Sequence, residues 1–576
     1  MSTPPPPSQP PAGGFGGPPP PPGPPPGPPP APGAPPQPPA APPQAPQQPA
    51  TQPAQPAAPE AGAQPGYGYP QQPQPGYGYP QQPATLQAPS QPPAGPASGG
   101  GNDVRNQLMI VGAALLAMAL IIGGGFFYTS GSDGGDTPPA TAASGSADPK
   151  APALAGSEKP PANPKSKPLV SVTTQVPGSD VVGVDGSWLT DTTYVKSDLG
   201  KVVGYNLVDG GKKWELPLNA NVCGATKHIS DNKTAILFQE APPTADKKYP
   251  QCTQVGVIDL NTGKLLWSAT AKSATGGDKP VAFTEVTLSG QTVAAGGLYG
   301  GAAWNLADGK SLWTPKTDAQ GCYDLGYAGG EALAVLRKCG GGSDETLYAQ
   351  ALDPASGAPK YSYKLSAGIE WAGIISTKPL IVAANVGNTA KNATNVSDLF
   401  VLDDAGQLKT RIGLSSGSYA PRCPATEVEQ CTNMVVGNGK VYLPTYEHQN
   451  PSSTAVGRTN EIVSFDLETG KPTSDRADAG EKFVMYPLRM DGSNIIAYKV
   501  PPYDNGGQVV SLDGKTMKET LLMQNPTGSR SLEQGFSPDR SEIRYHNGRL
   551  FLAESLASKP YSDKDKDYLF VSFTAS

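Results

Sequence analysis

The chain has 576 residues, of which 69 are Gly and 68 are Pro, with six Cys, three His and a net charge of −6. So much Gly and Pro excludes a single globular domain over the whole length. The region after Pro168 carries 38 Lys plus Arg against 43 Asp plus Glu. It has no basic stripe, which excludes the clustered cations that nucleic-acid binding needs.

In chain order, residues 1–104 come first. The first 102 contain no Lys or Arg and one acid, Glu60. Such a Pro/Gly/Ala/Gln segment buries too little apolar area to offset its ordering entropy, so it is expected to be a disordered tail of polyproline character. Within it QPGYGYPQQP occurs twice, at 64–73 and 74–83. Tyr67, Tyr69, Tyr77 and Tyr79 are then either stickers for self-association or a cytoplasmic partner, or parts of a solvated tail. Residues 105–129 hold the uncharged apolar run 108–127. Twenty helical residues rise ~30 Å, the thickness of a bilayer core, which predicts a single-pass membrane anchor. Arg105 before the run, with Asp133 and Asp136 after it, places the N-terminus in the cytoplasm by the positive-inside rule. Residues 130–167 read as a flexible Gly/Ser/Ala/Pro linker.

Residues 168–576 contain a repeat. Asp259-Leu-Asn-Thr-Gly-Lys-Leu-Leu-Trp267 is preceded by Asn206-Leu-Val-Asp-Gly-Gly-Lys-Lys-Trp214 and followed by Asn305-Leu-Ala-Asp-Gly-Lys-Ser-Leu-Trp313. Fainter copies begin at Asp353, Asp403, Asp466 and Asp513, at intervals of 53, 46, 48, 50, 63 and 47 residues. A period near 50 residues marks a repeat architecture. In each copy an apolar run leads into Asp or Asn, which opens a turn, and usually a Gly four residues on, which takes the positive φ of a tight hairpin. Two further strand candidates precede each hairpin, for example 432–436 and 440–444 before Asp466. Four strands per period is the content of one propeller blade. Asp259 and Gly263 are then turn residues. Trp214, Trp267 and Trp313 sit at one place on the outermost strand, where a ring packs on the next blade.

The pattern Asp/Asn-x-x-Thr-Gly-Lys-x-x-Trp resembles the repeat of the pyrroloquinoline-quinone-type propellers. That family includes quinoprotein alcohol dehydrogenases and a cofactor-free lipoprotein of outer-membrane assembly. The resemblance spans roughly 168–576 and weakens after the third copy, where Tyr361 replaces the Trp and the later copies have none. It implies eight blades. Seven hairpins are visible. Beyond them 542–545, 549–553 and 568–573 supply three strands, and 169–176 is a spare strand before the first blade. Pairing the two ends would remove exposed strand edges and complete an all-β, eight-bladed propeller; a seven-bladed ring is the alternative. The layout also resembles actinobacterial membrane proteins with a PQQ-like extracellular domain.

Consecutive cysteines lie close in sequence, which points to the pairs Cys223–Cys252, Cys322–Cys339 and Cys423–Cys431, each stapling a loop within one blade in an oxidising compartment. No Cys pair has zinc spacing. His228, His448 and His546 fall in different blades and read as loop or surface residues. Gly413-Leu-Ser-Ser-Gly417 has the letters of a nucleophile elbow, but no helix start follows it. Asp563-Lys-Asp-Lys-Asp567 lacks the Gly and Glu of a calcium loop. Quinoprotein dehydrogenases typically carry adjacent cysteines beside the cofactor, and this chain has none. No catalytic residue, cofactor or metal site is therefore assigned. The expected function is a plasma-membrane-anchored extracellular propeller that binds a protein or small ligand without catalysis. A quinoprotein-type dehydrogenase, or an assembly protein acting partly through the Pro/Tyr tail, is the alternative.

Overall fold

The computed structural model describes residues 158–575, apart from 175–180, 219, 273–276, 342–343, 391–395, 415–417, 425, 451–456 and 561–565. The expected tail, membrane segment and most of the linker lie outside these residues. Among the described residues no helix is long and apolar enough to cross a membrane.

Eight four-stranded antiparallel sheets form a propeller. The first blade comprises Ser187–Leu189, Thr193–Asp198, Lys201–Asn206 and Lys212–Pro217. The next six start at Val222–Ala225, Glu285–Ser289, Tyr323–Ala328, Ala372–Thr377, Val435–Gly437 and Val484–Asp491. The eighth is composite. Glu542–His546, Arg549–Ala553 and Tyr568–Thr574 are its three inner strands, and Lys167–Thr173 pairs antiparallel with Tyr568–Thr574 as the outermost strand. Both ends of the propeller segment therefore share one sheet, and the seven-bladed alternative is excluded. The closing strand runs 167–173 rather than 169–176.

The middle strands of each blade have no polar face. In the second blade Ala235 and Leu237 point toward the third blade while Ile236 and Phe238 point toward the first. Successive side chains alternate between faces, and both faces are covered by neighbours. The core is accordingly divided into eight apolar slabs, one between each pair of adjacent blades. The slab joining the last blade to the first is aromatic, with Tyr194 stacked on Phe551 at 3.9 Å between ring centroids and Phe570 beside them.

The repeated hairpin links the slabs. Asp259 Oδ1 accepts the backbone N–H groups of Asn261 at 3.0 Å and Thr262 at 2.9 Å. Gly263 then takes φ 70°. A Cβ there would lie 2.3 Å from the Trp214 ring, so glycine serves the turn and the approach of the neighbouring ring together. Trp267 repeats the arrangement on Gly309 and donates its indole N–H to the Leu306 carbonyl at 2.8 Å. Trp313 lies on Gly357 and Tyr361 on Gly406. In the composite blade Val170 takes this place, against Gly210 of the first blade. At these five junctions the outermost strand thus docks on the hairpin of the following blade.

The segment before the closing strand is clasped to the seventh and eighth blades. The Glu158 carboxylate is buried and receives Arg489 at 2.6 Å, His546 Nδ1 at 3.0 Å and the Asn547 N–H at 2.9 Å. Burial works against its ionisation, but the His546 and Asn547 hydrogen bonds and the charges of Arg489 and His546 hold its pKa below the usual carboxylate value. His546 is only 7% exposed because it serves this clasp, not on the surface as its sequence context suggests.

Trp267→Ala should lower stability by about 2–4 kcal/mol for a half-buried ring, and Gly309→Ala by about 1–3 kcal/mol through overpacking. In urea denaturation the double variant should cost less than the sum, because both changes break one contact. Strict additivity would show that ring and hairpin do not act together.

Candidate functional site

The ring is asymmetric end to end. Turns between first and second strands are short, as at 378–379, 438–439, 492–493 and 547–548. They share one end with the repeated hairpins. The opposite end carries the long connections: 239–253, 385–397, 414–434, 445–460, 525–541 and 554–567. Among the described residues, six of the nine exposed large apolar side chains lie at this loop-rich end: Val181, Tyr249, Leu298, Tyr299, Tyr503 and Leu556. Tyr503 is 86% exposed and stands over the Arg530 guanidinium at 5.1 Å.

The disulfides sort to this end as well. Cys223–Cys252 ties the innermost strand of the second blade to its long loop, and Cys322–Cys339 ties the first two strands of the fourth. Cys423–Cys431 differs from the sequence expectation. It lies in the crossover between the fifth and sixth blades, not inside one blade. Its neck is closed by mutual backbone hydrogen bonds between Arg422 and Thr432. Its sulfurs lie where a Cβ on Gly373 would sit, 2.5 Å from Cys431 Sγ, so the innermost strand of the fifth blade makes room with a glycine. The eight-residue separation makes a tight loop, and this loop enters the axis of the ring.

The loop tip is held by buried groups. The Ile374 N–H donates to the Val428 carbonyl at 2.6 Å. The N–H groups of Val428 and Glu429 donate to Glu285 Oε2 at 2.9 and 3.3 Å. Gly326 leaves the space, since a Cβ there would fall 1.6 Å from Glu285 Oε1. The Glu429 carboxylate accepts His228 Nε2 at 2.7 Å, Thr287 Oγ1 at 2.6 Å and the Gly329 N–H at 2.9 Å, while Lys227 Nζ reaches the Glu429 carbonyl at 3.1 Å. Beside this cluster, at the short-turn end, a cavity of about 270 Å³ is lined by Lys227, His228, Leu288, Ile375, Glu429 and Val436, among others.

These two buried carboxyls are driven apart. Burial raises the pKa of Glu285 well above 4.5, and the charges of Glu429 and Glu427 add to this. Burial also opposes ionisation of Glu429, but the charge and hydrogen bond of His228, with Lys227 and Thr287, outweigh it and bring Glu429 to about 2. With Glu429 ionised, His228 Nε2 must carry the proton of their hydrogen bond. Farther along the axis Asp185 is raised to about 7 by burial and by Glu542, against the opposing charge of Lys196. Lys196 is fully buried and bonds Glu542 at 2.9 Å and the Val184 carbonyl at 2.5 Å.

Pyrroloquinoline quinone, the cofactor that the resemblance of the repeat implies, is a planar tricarboxylate. The axis here is crossed by the disulfide loop and lined with the carboxyls of Asp185, Glu285, Glu427, Glu429 and Glu542. The Lys196 ammonium and the His228 imidazole are already bonded to Glu542 and Glu429. These residues do not fit a planar tri-anion. Among the described residues no three His, Cys, Asp or Glu side chains converge as metal ligands. The three histidines stay apart: His228 on the axis, His448 beside Glu461 at 2.9 Å, His546 in the clasp. Ser415–Gly417 of the elbow-like motif and much of the 563–567 acid run lie outside the described residues.

Residues 252–516 match the family model described as outer membrane protein assembly factor BamB. This segment is a PQQ-type propeller repeat array. BamB from Moraxella catarrhalis is 13% identical, with 70% of this chain and 100% of that chain covered and a TM-score of 0.35. Quinohemoprotein alcohol dehydrogenase from Comamonas testosteroni is 12% identical, with 73% and 78% covered and a TM-score of 0.42. The propeller domain of the Trilobed protease from Pyrococcus furiosus is 12% identical, with 59% and 99% covered and a TM-score of 0.33. No curated protein matches the chain. The eight-bladed architecture rests on the strand topology described above.

The axial cluster was not anticipated by the sequence reading. Its one signal is the 63-residue interval between the Asp403 and Asp466 hairpins, the longest of the six, which contains both Cys423 and Cys431.

The two axial acids oppose each other in pH dependence. Glu429, lowered in the fold, contributes stability present above pH 4.5 and lost as pH falls toward 2, about 3 kcal/mol for a shift of this size. Glu285, raised in the fold, contributes stability present below pH 4.5 and lost as pH rises. Denaturation between pH 5 and 7.5 should show a smaller alkaline decline for Glu285→Gln than for wild type. Between pH 4.5 and 2 the acid decline should shrink in Glu429→Gln. Unchanged slopes in both variants would overturn this assignment.

Proposed function

We propose that the chain is a membrane-anchored, extracellular and non-catalytic binding module, whose propeller receives a protein partner on its loop-rich end. The observation that carries this reading is the concentration of long connections and exposed Tyr and Leu side chains at that one end. Exposed aromatic and apolar groups grouped on one surface are the usual material of protein interfaces, whereas scattered ones need no explanation. The ring supports them rigidly, because function-bearing loops on a stiff scaffold lose little entropy on binding. Three disulfides favour an oxidising compartment. The apolar run 108–127 would hold the propeller at the membrane, with residues 1–104 on the cytoplasmic side, where a partner or self-association of the Tyr-bearing repeats belongs to the same proposal. The family name of the matching model points to assembly work with other proteins. The self-filled, acid-lined axis speaks against quinone-dependent dehydrogenation.

Photo-crosslinking on intact cells tests the assignment of the face. A photoreactive residue at Tyr249 or Tyr299 should yield a discrete adduct, and one at Val208, on a hairpin of the opposite end, should not. Tyr249→Ser with Leu298→Ser should abolish the adduct formed through position 299. Equal adducts from both ends, or none from the loop-rich end, would reject the assignment.

A further inference from the structure

The axial cluster has the chemistry of a receptor for a carboxylate. Three donors from three different blades converge on the two oxygens of Glu429: His228 Nε2, Thr287 Oγ1 and the Gly329 N–H. A fourth group, Lys227, holds the adjacent carbonyl. All four donate in this structure, and Lys227 and the Gly329 N–H can only donate, so the set favours an anionic acceptor. The carboxylate that fills it belongs to a loop imported from the fifth-to-sixth crossover, not to the blades that supply the donors. The donors belong to the ring, and the acceptor is a tethered insert.

The same residues open onto the cavity of about 270 Å³ at the short-turn end. Lys227, His228 and Glu429, with Glu331, Thr377 and Lys378, are among its polar lining residues, and Ile229, Leu288, Ile375 and Val436 among its apolar ones. A head of one kind and a body of another are specified by these two sets. The volume lies just below the range of about 300–1,000 Å³ usual for small-molecule pockets, which suits a small ligand.

We propose that this cavity binds a small free monocarboxylate with a branched apolar body, and that Glu429 is the built-in competitor occupying its donor set. The ligand's carboxylate takes the hydrogen bonds of His228, Thr287 and the Gly329 N–H, and its hydrocarbon lies against Ile229, Leu288, Ile375 and Val436. No bond is made or broken. The Cys423–Cys431 loop keeps the Glu429 carboxylate at millimolar effective concentration or above, so free ligand competes only weakly while the loop is seated. This site lies at the opposite end from the loop-rich face and stands independently of the partner proposed there.

The test uses the full-length chain at pH 7 and isothermal titration with 4-methylpentanoate, with 4-methylpentanamide as the uncharged control. Glu429→Ala should bind the carboxylate at least tenfold more tightly than wild type and more tightly than it binds the amide. Glu429→Leu should do likewise, because a hydrocarbon accepts none of the hydrogen bonds of His228, Thr287 and the Gly329 N–H. It also fills the side-chain volume, so it carries the comparison if the alanine variant does not fold. Adding His228→Ala to either variant should return the affinity to the wild-type level. Binding no tighter than wild type in a folded Glu429 variant, equal binding of acid and amide, or indifference to His228→Ala would each overturn the proposal.

Discussion

A blade of this protein cannot exist alone, because its middle strands have apolar side chains on both faces. Ala235, Ile236, Leu237 and Phe238 occupy consecutive positions and are all buried. Alternation sends them to two different neighbours, so each blade needs one on either side. A row of such blades ends in two uncovered faces, and only closure removes both. The slab of Tyr194, Tyr205, Phe551 and Phe570 is the closing contact, and the pairing of Lys167–Thr173 with Tyr568–Thr574 is its hydrogen-bonded counterpart. The Glu158 clasp and the docked rings of Trp214, Trp267 and Trp313 all elaborate this one requirement.

Closure creates an axis, and eight innermost strands around one line leave a space that side chains alone do not fill. The chain fills part of it with its own crossover. A loop carrying Val428 and Glu429 brings polar groups into a region walled by β-strands, and buried polar groups must be paired. Glu285 pairs two backbone N–H groups of the loop, and three donors pair Glu429. The disulfide at the neck reduces the entropy of the loop before it inserts. Gly326 and Gly373 supply the volume. The axis is thereby an ordered polar network on an apolar scaffold, with a cavity beside it at one end and long loops above it at the other.

The fold was legible in the sequence because its causes are local. The hairpin at Asp259 needs Asp to open the turn and Gly at positive φ, and both requirements recur with the period of the blade. The missing eighth hairpin was legible too, since three strands at the C-terminus and a spare one near 170 imply each other. The axial cluster was not legible. Glu285 and Thr287, His228, and Gly329 come from three blades and Glu429 from a crossover, over 200 positions apart at the extremes, and no spacing rule connects them. Nor did the sequence reveal that His546 would be buried, since its partner Glu158 lies 388 residues away.

Period, hairpin chemistry, strand content and the composite blade follow from the sequence alone, because turn propensity and alternation act over a few residues. The path of the Cys423–Cys431 loop, the opposed ionisation of Glu285 and Glu429, and the gathering of exposed aromatic side chains on one end were decided only by the tertiary structure. Those properties depend on which groups the closed ring brings within a few ångströms of each other. Distance across a ring is not encoded in distance along a chain.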